Sequence, residues 1–366
     1  MNTYDFYLNS KPFEITIVDE IIDNAAGTYP CYYTVKDNQL MISGSVYALI
    51  KELGNFIQNN RVRIGRYATS YQTHDTRIMR IQPFEKINCV CGKLIKTNNF
   101  TSSNNLDLND FIDKEAELLT EHVNSIERRY PDAIHIAEVG GKDSQIILLI
   151  PKLSKNWYVF SAFPNYPLVK QFVELNNIDI NKFYTHLGDD EFEDNKFIEE
   201  KIVALDGLQQ LLHLRWGKSH RKLAIQEFGG KKVIFWDGDS GGNLNSPLNI
   251  NRLKKIQRTE VEFFRFFWTC SPLHQGATHQ YYKQLGLTRL DIYSYPQLWK
   301  DVFMQYNPIN ILKKDIRKQL GDKVFGKSVK WIDENPAPPA WKAQLRYDVR
   351  KIYTDCIKRE LLKTIR

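Results

Sequence analysis

An apolar segment that ends in two adjacent glycines and turns at once into a helix leaves a chain few choices, and residues 133–151 have that form. A short apolar strand at Ala133–Ala137 leads through Glu138 and Val139 to Gly140-Gly141. Lys142-Asp143 follows, then a helical stretch over Ser144–Ile150 that Pro151 stops. Glycine has no Cβ, so the backbone there can come close to a ligand. The new helix aims unsatisfied N–H groups and the positive end of its dipole at the same spot, which favours an anion. Ser144 adds a hydroxyl donor, and the Asp143 carboxylate is suited to a magnesium ion that bridges phosphates. Lys142 faces either solvent or the phosphates, and spacing alone leaves that open. The structural alternative is an ordinary strand–turn–helix joint with Asp143 as a cap.

The same rhythm extends through the middle of the chain. Helices are predicted at Phe111–Arg129, Leu168–Asn176 and Leu208–Phe228, and strands at Trp157–Ala162, Phe183–His186 and Lys232–Trp236. Strands alternating with helices predict an α/β fold with a doubly wound parallel sheet. Residues 1–105 read differently, as short strands at Phe13–Val18, Cys31–Val35, Gln39–Ile42 and Lys86–Leu94 with a helix at Ser45–Phe56. Asp37-Asn38 is the expected hairpin turn between two of them. The polar stretch Thr97–Asn109 is the expected interdomain linker, which gives a small β-rich domain over 1–105 and a larger one over 106–366. From Arg252 onward the pattern is mainly helical.

A net charge of +7 on 366 residues suits a phosphorylated ligand better than a nucleic acid, which calls for a concentrated basic stripe. Five scattered cysteines point to reduced thiols and a cytoplasmic protein rather than a disulfide framework. Cys89 and Cys91 alternate along the expected strand and share a face, but no second pair completes a zinc site. Cys270, His274 and His279 likewise lack a fourth ligand. No apolar run reaches the roughly 20 residues of a membrane span.

A second strand-to-turn junction carries acid as well as glycine: Lys232-Val233-Ile234-Phe235-Trp236-Asp237-Gly238-Asp239-Ser240-Gly241-Gly242-Asn243. In a parallel sheet this loop can face the first, because neighbouring strands end on the same side. A calcium loop is excluded, since Leu248 stands where a bidentate Glu is needed and a strand, not a helix, precedes it.

Val139-Gly140-Gly141-Lys142-Asp143-Ser144 resembles the SGGxDS motif of PP-loop ATP pyrophosphatases, with Val139 in place of the first serine. Together with Asp237–Gly242, which looks like a variant of a GDGxDE loop, the resemblance narrows to the asparagine synthetase-like family. Weaker echoes follow in order: Ile81-Gln82-Pro83-Phe84, Leu205-Asp206-Gly207, Lys314–Leu320 and Lys327-Ser328-Val329-Lys330-Trp331. The family's glutaminase members begin Met-Cys, whereas this chain begins Met1-Asn2-Thr3 and its first cysteine is Cys31. The resemblance therefore implies a branch akin to β-lactam synthetases and lasso-peptide cyclases, with residues 1–105 a shortened Ntn-like domain that lacks the glutaminase nucleophile.

What that resemblance implies is an ATP-dependent, AMP-forming carbon–nitrogen ligase that uses ATP and Mg2+. Val139, Gly140, Gly141, Lys142, Asp143 and Ser144 would hold pyrophosphate, and Ser161 and Phe163 would contact adenine. Asp143 with Asp239, or Asp237, would hold magnesium, with Asp239 preferred. Lys330, with Lys327 in reserve, would stabilise developing charge. The substrate would be a small-molecule or peptide carboxylate, with a precursor peptide or carrier protein as a further partner, and with neither membrane nor nucleic acid involved. Two other readings stand beside it: a PP-loop tRNA-modifying enzyme, and an inactive homologue that serves as a binding subunit.

Overall fold

The computed structural model describes residues 1–59, 72–99, 101, 103, 105–185, 217–238, 276, 278–305 and 315–332. The chain opens with a helix, α1 (Thr3–Asn9), where no element is predicted. Asn2 caps it by accepting the Asp5 N–H at 2.8 Å. Strands β1 (Ile15–Val18), β2 (Glu20–Ile22), β3 (Tyr32–Lys36) and β4 (Gln39–Ser43) follow, then α2 (Val46–Leu53), β5 (Met79–Arg80), β6 (Glu85–Val90) and β7 (Lys93–Asn98). They form two antiparallel sheets, in the orders β1-β4-β3-β5 and β2-β6-β7. The β3–β4 hairpin turns at Asp37-Asn38, both at positive φ, as expected. The single strand expected over Lys86–Leu94 is a hairpin instead. Cys91 and Gly92, at φ 49° and 75°, reverse the chain between β6 and β7, so Cys89 lies in a strand and Cys91 in its turn.

The remaining described elements are α3 (Leu108–Arg129), β8 (Ile134–Glu138), α4 (Lys142–Leu149), β9 (Trp157–Phe160), α5 (Tyr166–Asn176), β10 (Phe183–Tyr184), α6 (Gly217–Phe228), β11 (Val233–Asp237), β12 (Thr288–Asp291), a short helical turn at Pro296–Phe303, and α7 (Arg317–Phe325). The five strands pair in parallel in the order β10-β9-β8-β11-β12. Both faces of this sheet are covered, because successive side chains point to opposite sides. Ile134, Ile136, Phe160, Val233 and Phe235 pack with Ala224 and Phe228 of α6. Ala137, Trp157, Val159, Ile234 and Trp236 pack with residues of α3, α4 and α5. The strand β12 is not predicted: Thr-Arg-Leu-Asp lacks an apolar run, and its Arg289 is buried beside Glu138 and Asp237.

Of the stretch Thr97–Asn109, the described residues include several that are hydrogen-bonded to the rest of the chain. The stretch begins in β7 and ends in α3, and in between the Ser103 and Asn105 N–H groups donate to the Met304 and Gln305 carbonyls at 2.9 and 3.0 Å. Tyr4, Tyr7, Ala25, Tyr29 and Phe84 belong to the same apolar cluster as Phe111, Leu119 and Trp236. The Tyr4 hydroxyl lies 2.9 Å from His122 Nε2. The N-terminal elements thus pack directly on the face of the parallel sheet that carries α3. No helix among the described residues is long and apolar enough to cross a membrane.

Candidate nucleotide site at the tips of two parallel strands

Numbered from β8, the sheet order is 3-2-1-4-5, so the chain reverses its direction of travel between β8 and β11. The crevice beyond the carboxyl ends of those two strands is where open α/β sheets bind ligands. The two bends singled out in the sequence leave those two ends. They touch: a Cβ placed on Gly238 would lie 3.0 Å from Ser144 Cα and 3.1 Å from the Asp143 carbonyl oxygen. Only a glycine lets the second bend sit this close to the first turn of α4.

Within the first bend, Gly140 is exposed and Gly141, Lys142 and Asp143 are half-buried, so solvent reaches the loop. The Gly140 and Gly141 N–H groups both donate to Ser144 Oγ, at 3.1 and 3.3 Å, and that hydroxyl donates to the Gly141 carbonyl at 3.1 Å. Helix α4 begins at Lys142, earlier than predicted, with Asp143 in its first turn. Val139 is buried in the core, with its N–H donating to the Phe160 carbonyl. Its side chain faces the core, away from any anion. Asp143 Oδ1 accepts from Arg317 Nη1 at 3.0 Å. Asp315 holds the same guanidinium through Nε at 2.9 Å and Nη2 at 2.6 Å.

Beneath the two bends lies a buried charged network. Glu138 ends β8 and Asp237 ends β11, and Arg289 of β12 reaches both, with Nε 2.6 Å from Glu138 Oε2 and 3.2 Å from Asp237 Oδ2. Tyr282 donates to Glu138 Oε1 at 2.9 Å, and His220 Nδ1 lies 3.0 Å from the same oxygen. Burial alone would raise the Glu138 carboxyl, but Arg289 and His220 outweigh it and hold its pKa at about 2. Asp237 is 1% exposed, and its Oδ2 is also 3.4 Å from His279 Nε2. Its carboxylate is thus part of this network at the carboxyl end of β11. Sequence reasoning missed Arg289 and Glu138. The acid at the end of β8 was a readable signal; the arginine was not, because its strand was not recognised.

The chain matches no protein-family model and no curated protein.

Other expected site residues separate into those near the bends and those remote from them. Ser161 follows β9; its N–H donates to the Tyr184 carbonyl, and its buried Oγ has no hydrogen-bond partner. Phe163 is half exposed and lies 5.4 Å from the Tyr166 ring. Asn165, the N-cap of α5, brings its side-chain nitrogen to 3.8 Å from the position of a Cβ on Gly140. Ser161, Phe163 and the glycine pair thus share one end of the sheet.

Lys330 does not. Its N–H donates to Asn176 Oδ1 at 2.8 Å and its carbonyl accepts from Asn176 Nδ2 at 3.0 Å. Asn176 is the last residue of α5, a helix of 11 residues and roughly 16 Å long, whose other end adjoins Gly140. Lys327 lies in an open cleft of about 650 Å³ with Asn109, Asp113 and Lys323, over the Phe325 ring at 4.4 Å. Neither lysine is at the bends, which corrects the expectation for both. The structural reason is that Trp331 packs against Phe172 and Gly321 and draws its segment to the foot of α5. Among the described residues, Lys142 and Arg317 bring positive charge to the loop. Asp239, the preferred second metal ligand, lies outside the described residues. Among the described residues no cluster of three His, Cys, Asp or Glu side chains has metal-binding geometry.

Proposed function

We propose that the protein is an ATP-dependent carbon–nitrogen ligase of the asparagine synthetase-like kind, with a PP-loop fold. A substrate carboxylate takes up AMP with release of pyrophosphate, and an amine then displaces AMP to give an amide. The observation that carries this reading is the contact between the Gly140–Ser144 turn and Gly238 at the point where the strand order reverses.

The residues suit the parts that ATP would need. A phosphate oxygen that takes the place of Ser144 Oγ meets the Gly140 and Gly141 N–H groups and gains the hydroxyl as a third donor. Lys142 and Arg317 supply positive charge beside the same turn. The half-exposed Phe163 ring fits the face of a purine. A bound magnesium ion would supply neutralisation of charge on the leaving pyrophosphate. Asp143, the described carboxylate in the first turn of α4, would hold it. A small-molecule or peptide carboxylate is the expected substrate.

Release of pyrophosphate from ATP, assayed across amino acids, peptides and carrier-bound acids, tests this reading. Activity in the wild type that Asp143→Ala abolishes supports it; a wild type as inert as the mutant across that panel refutes it. One observation favours a second reading, a nucleotide-binding subunit without turnover: Ser144 and Arg317 already satisfy the loop internally. Tight Mg·ATP binding without pyrophosphate release would identify that case.

A further inference from the structure

We infer that Arg317 is a phosphate-contacting residue which, in the empty site, holds the metal-binding carboxylate of Asp143 and hands it over when Mg·ATP arrives. The inference rests on the nucleotide reading above and adds to it a residue and a mode of regulation.

Three observations carry it. Asp315 grips the guanidinium in a fork through Nε and Nη2 at 2.9 and 2.6 Å, which fixes its plane and leaves Nη1 as the arm that reaches the loop. That arm ends on Asp143 Oδ1 at 3.0 Å, one residue from the hydroxyl that occupies the Gly140 and Gly141 amides. The Arg317 side chain is only 19% exposed, while that of Asp143 is 34% exposed. The arginine is thus held by its neighbours, and the carboxylate is the partner open to exchange.

Charge balance sets the direction of that exchange. Lys142, Asp143, Asp315 and Arg317 together carry no net charge, and Mg·ATP brings about two negative charges to the turn. A magnesium ion on Asp143 is repelled by a guanidinium on the same carboxylate, whereas a phosphate oxygen at the turn attracts it. Nη1 therefore only changes acceptor, from carboxylate to phosphate, and Asp315 keeps the rest of the side chain in place. Asp315 acts here as a positioning residue.

Titration calorimetry with two probes, Mg·ATP and Mn2+ alone, tests the hand-over in wild type, Arg317→Ala, Arg317→Lys and Asp315→Asn. Arg317→Ala should weaken Mg·ATP by about 10- to 100-fold, the loss of one charge-assisted hydrogen bond, and at the same time tighten Mn2+, because Asp143 is freed. These opposite shifts separate phosphate contact from a purely structural role, which would weaken both. Arg317→Lys should recover part of the nucleotide affinity, and it stands in if the alanine variant does not fold. Asp315→Asn, which leaves the arginine but loosens its aim, should lie between wild type and Arg317→Ala. Unchanged Mg·ATP affinity in Arg317→Ala, or a loss for both probes, overturns the inference and leaves the nucleotide reading standing. A wild type that binds no Mg·ATP overturns both.

Discussion

Two glycine-to-alanine substitutions separate the contact between the bends from the space kept for a ligand. In Gly238→Ala the new Cβ meets Ser144 Cα at 3.0 Å and the Asp143 carbonyl oxygen at 3.1 Å. Both are backbone atoms of the first turn of α4, so they yield only if the turn moves. A carbon pair packs best at about 3.5–4.0 Å, and overpacking of this kind costs about 1–3 kcal/mol. That corresponds to a fall of a few degrees in Tm, and the displaced turn should weaken Mg·ATP by about tenfold or more. In Gly140→Ala a new Cβ meets Asn165 Nδ2 at 3.8 Å, an ordinary contact. Stability should then stay within about 0.5 kcal/mol of wild type, while nucleotide affinity still falls, because the methyl group stands where phosphate must approach. Differential scanning fluorimetry and calorimetric titration on both variants supply the four numbers. Wild-type melting in Gly238→Ala would refute the contact between the bends, and wild-type affinity in Gly140→Ala would refute phosphate binding at the turn.

Phe163→Ala should leave Tm unchanged but weaken ATP by about 1–3 kcal/mol through loss of ring stacking, with pyrophosphate binding unaffected. Glu138 has a folded pKa near 2 against an ordinary 4.5, so its stabilising contribution is complete above about pH 4.5 and is lost as pH falls through 2. Glu138→Gln should cost about 3–5 kcal/mol at neutral pH, by leaving Arg289 with one fewer partner, and urea titrations should show that loss shrinking as pH falls from 4.5 towards 2. His122 is fixed between the Ile292 carbonyl and the Tyr4 hydroxyl, each at 2.9 Å, and burial lowers its pKa from 6.5 to about 4. The unfolded chain takes up that proton first, so stability should decline as pH drops from 6.5 towards 4, and His122→Gln should flatten that limb in urea titrations at pH 7 and 4.5.

The parallel sheet was legible because its inner strands declare themselves: Ile134–Glu138, Trp157–Phe160 and Val233–Asp237 are apolar runs ended by glycine, proline or acid. So was the first bend, whose glycines and Ser144 carry local backbone information. What escaped depends on distant partners. Thr288–Asp291 looks like a polar loop until Glu138 and Asp237 are set beside Arg289. The buried ion pair of Asp237 with Arg289 escaped for the same cause, since the partner lies 52 residues away on a strand without an apolar run. Lys330 failed for another reason: its position follows from Trp331 and Asn176, which no local motif records. The β6–β7 reversal was missed because Cys91-Gly92 is an uncommon turn pair, although Gly92 was a readable signal.

A crystal structure with Mg2+ and a non-hydrolysable ATP analogue tests the central claim most directly. The account predicts the β- and γ-phosphates within hydrogen-bond distance of the Gly140 and Gly141 N–H groups and of Arg317 Nη1, with the metal on Asp143 and the base beside Phe163. Nucleotide bound elsewhere, with the Ser144 hydroxyl still on both glycine amides and Arg317 still on Asp143, would contradict it.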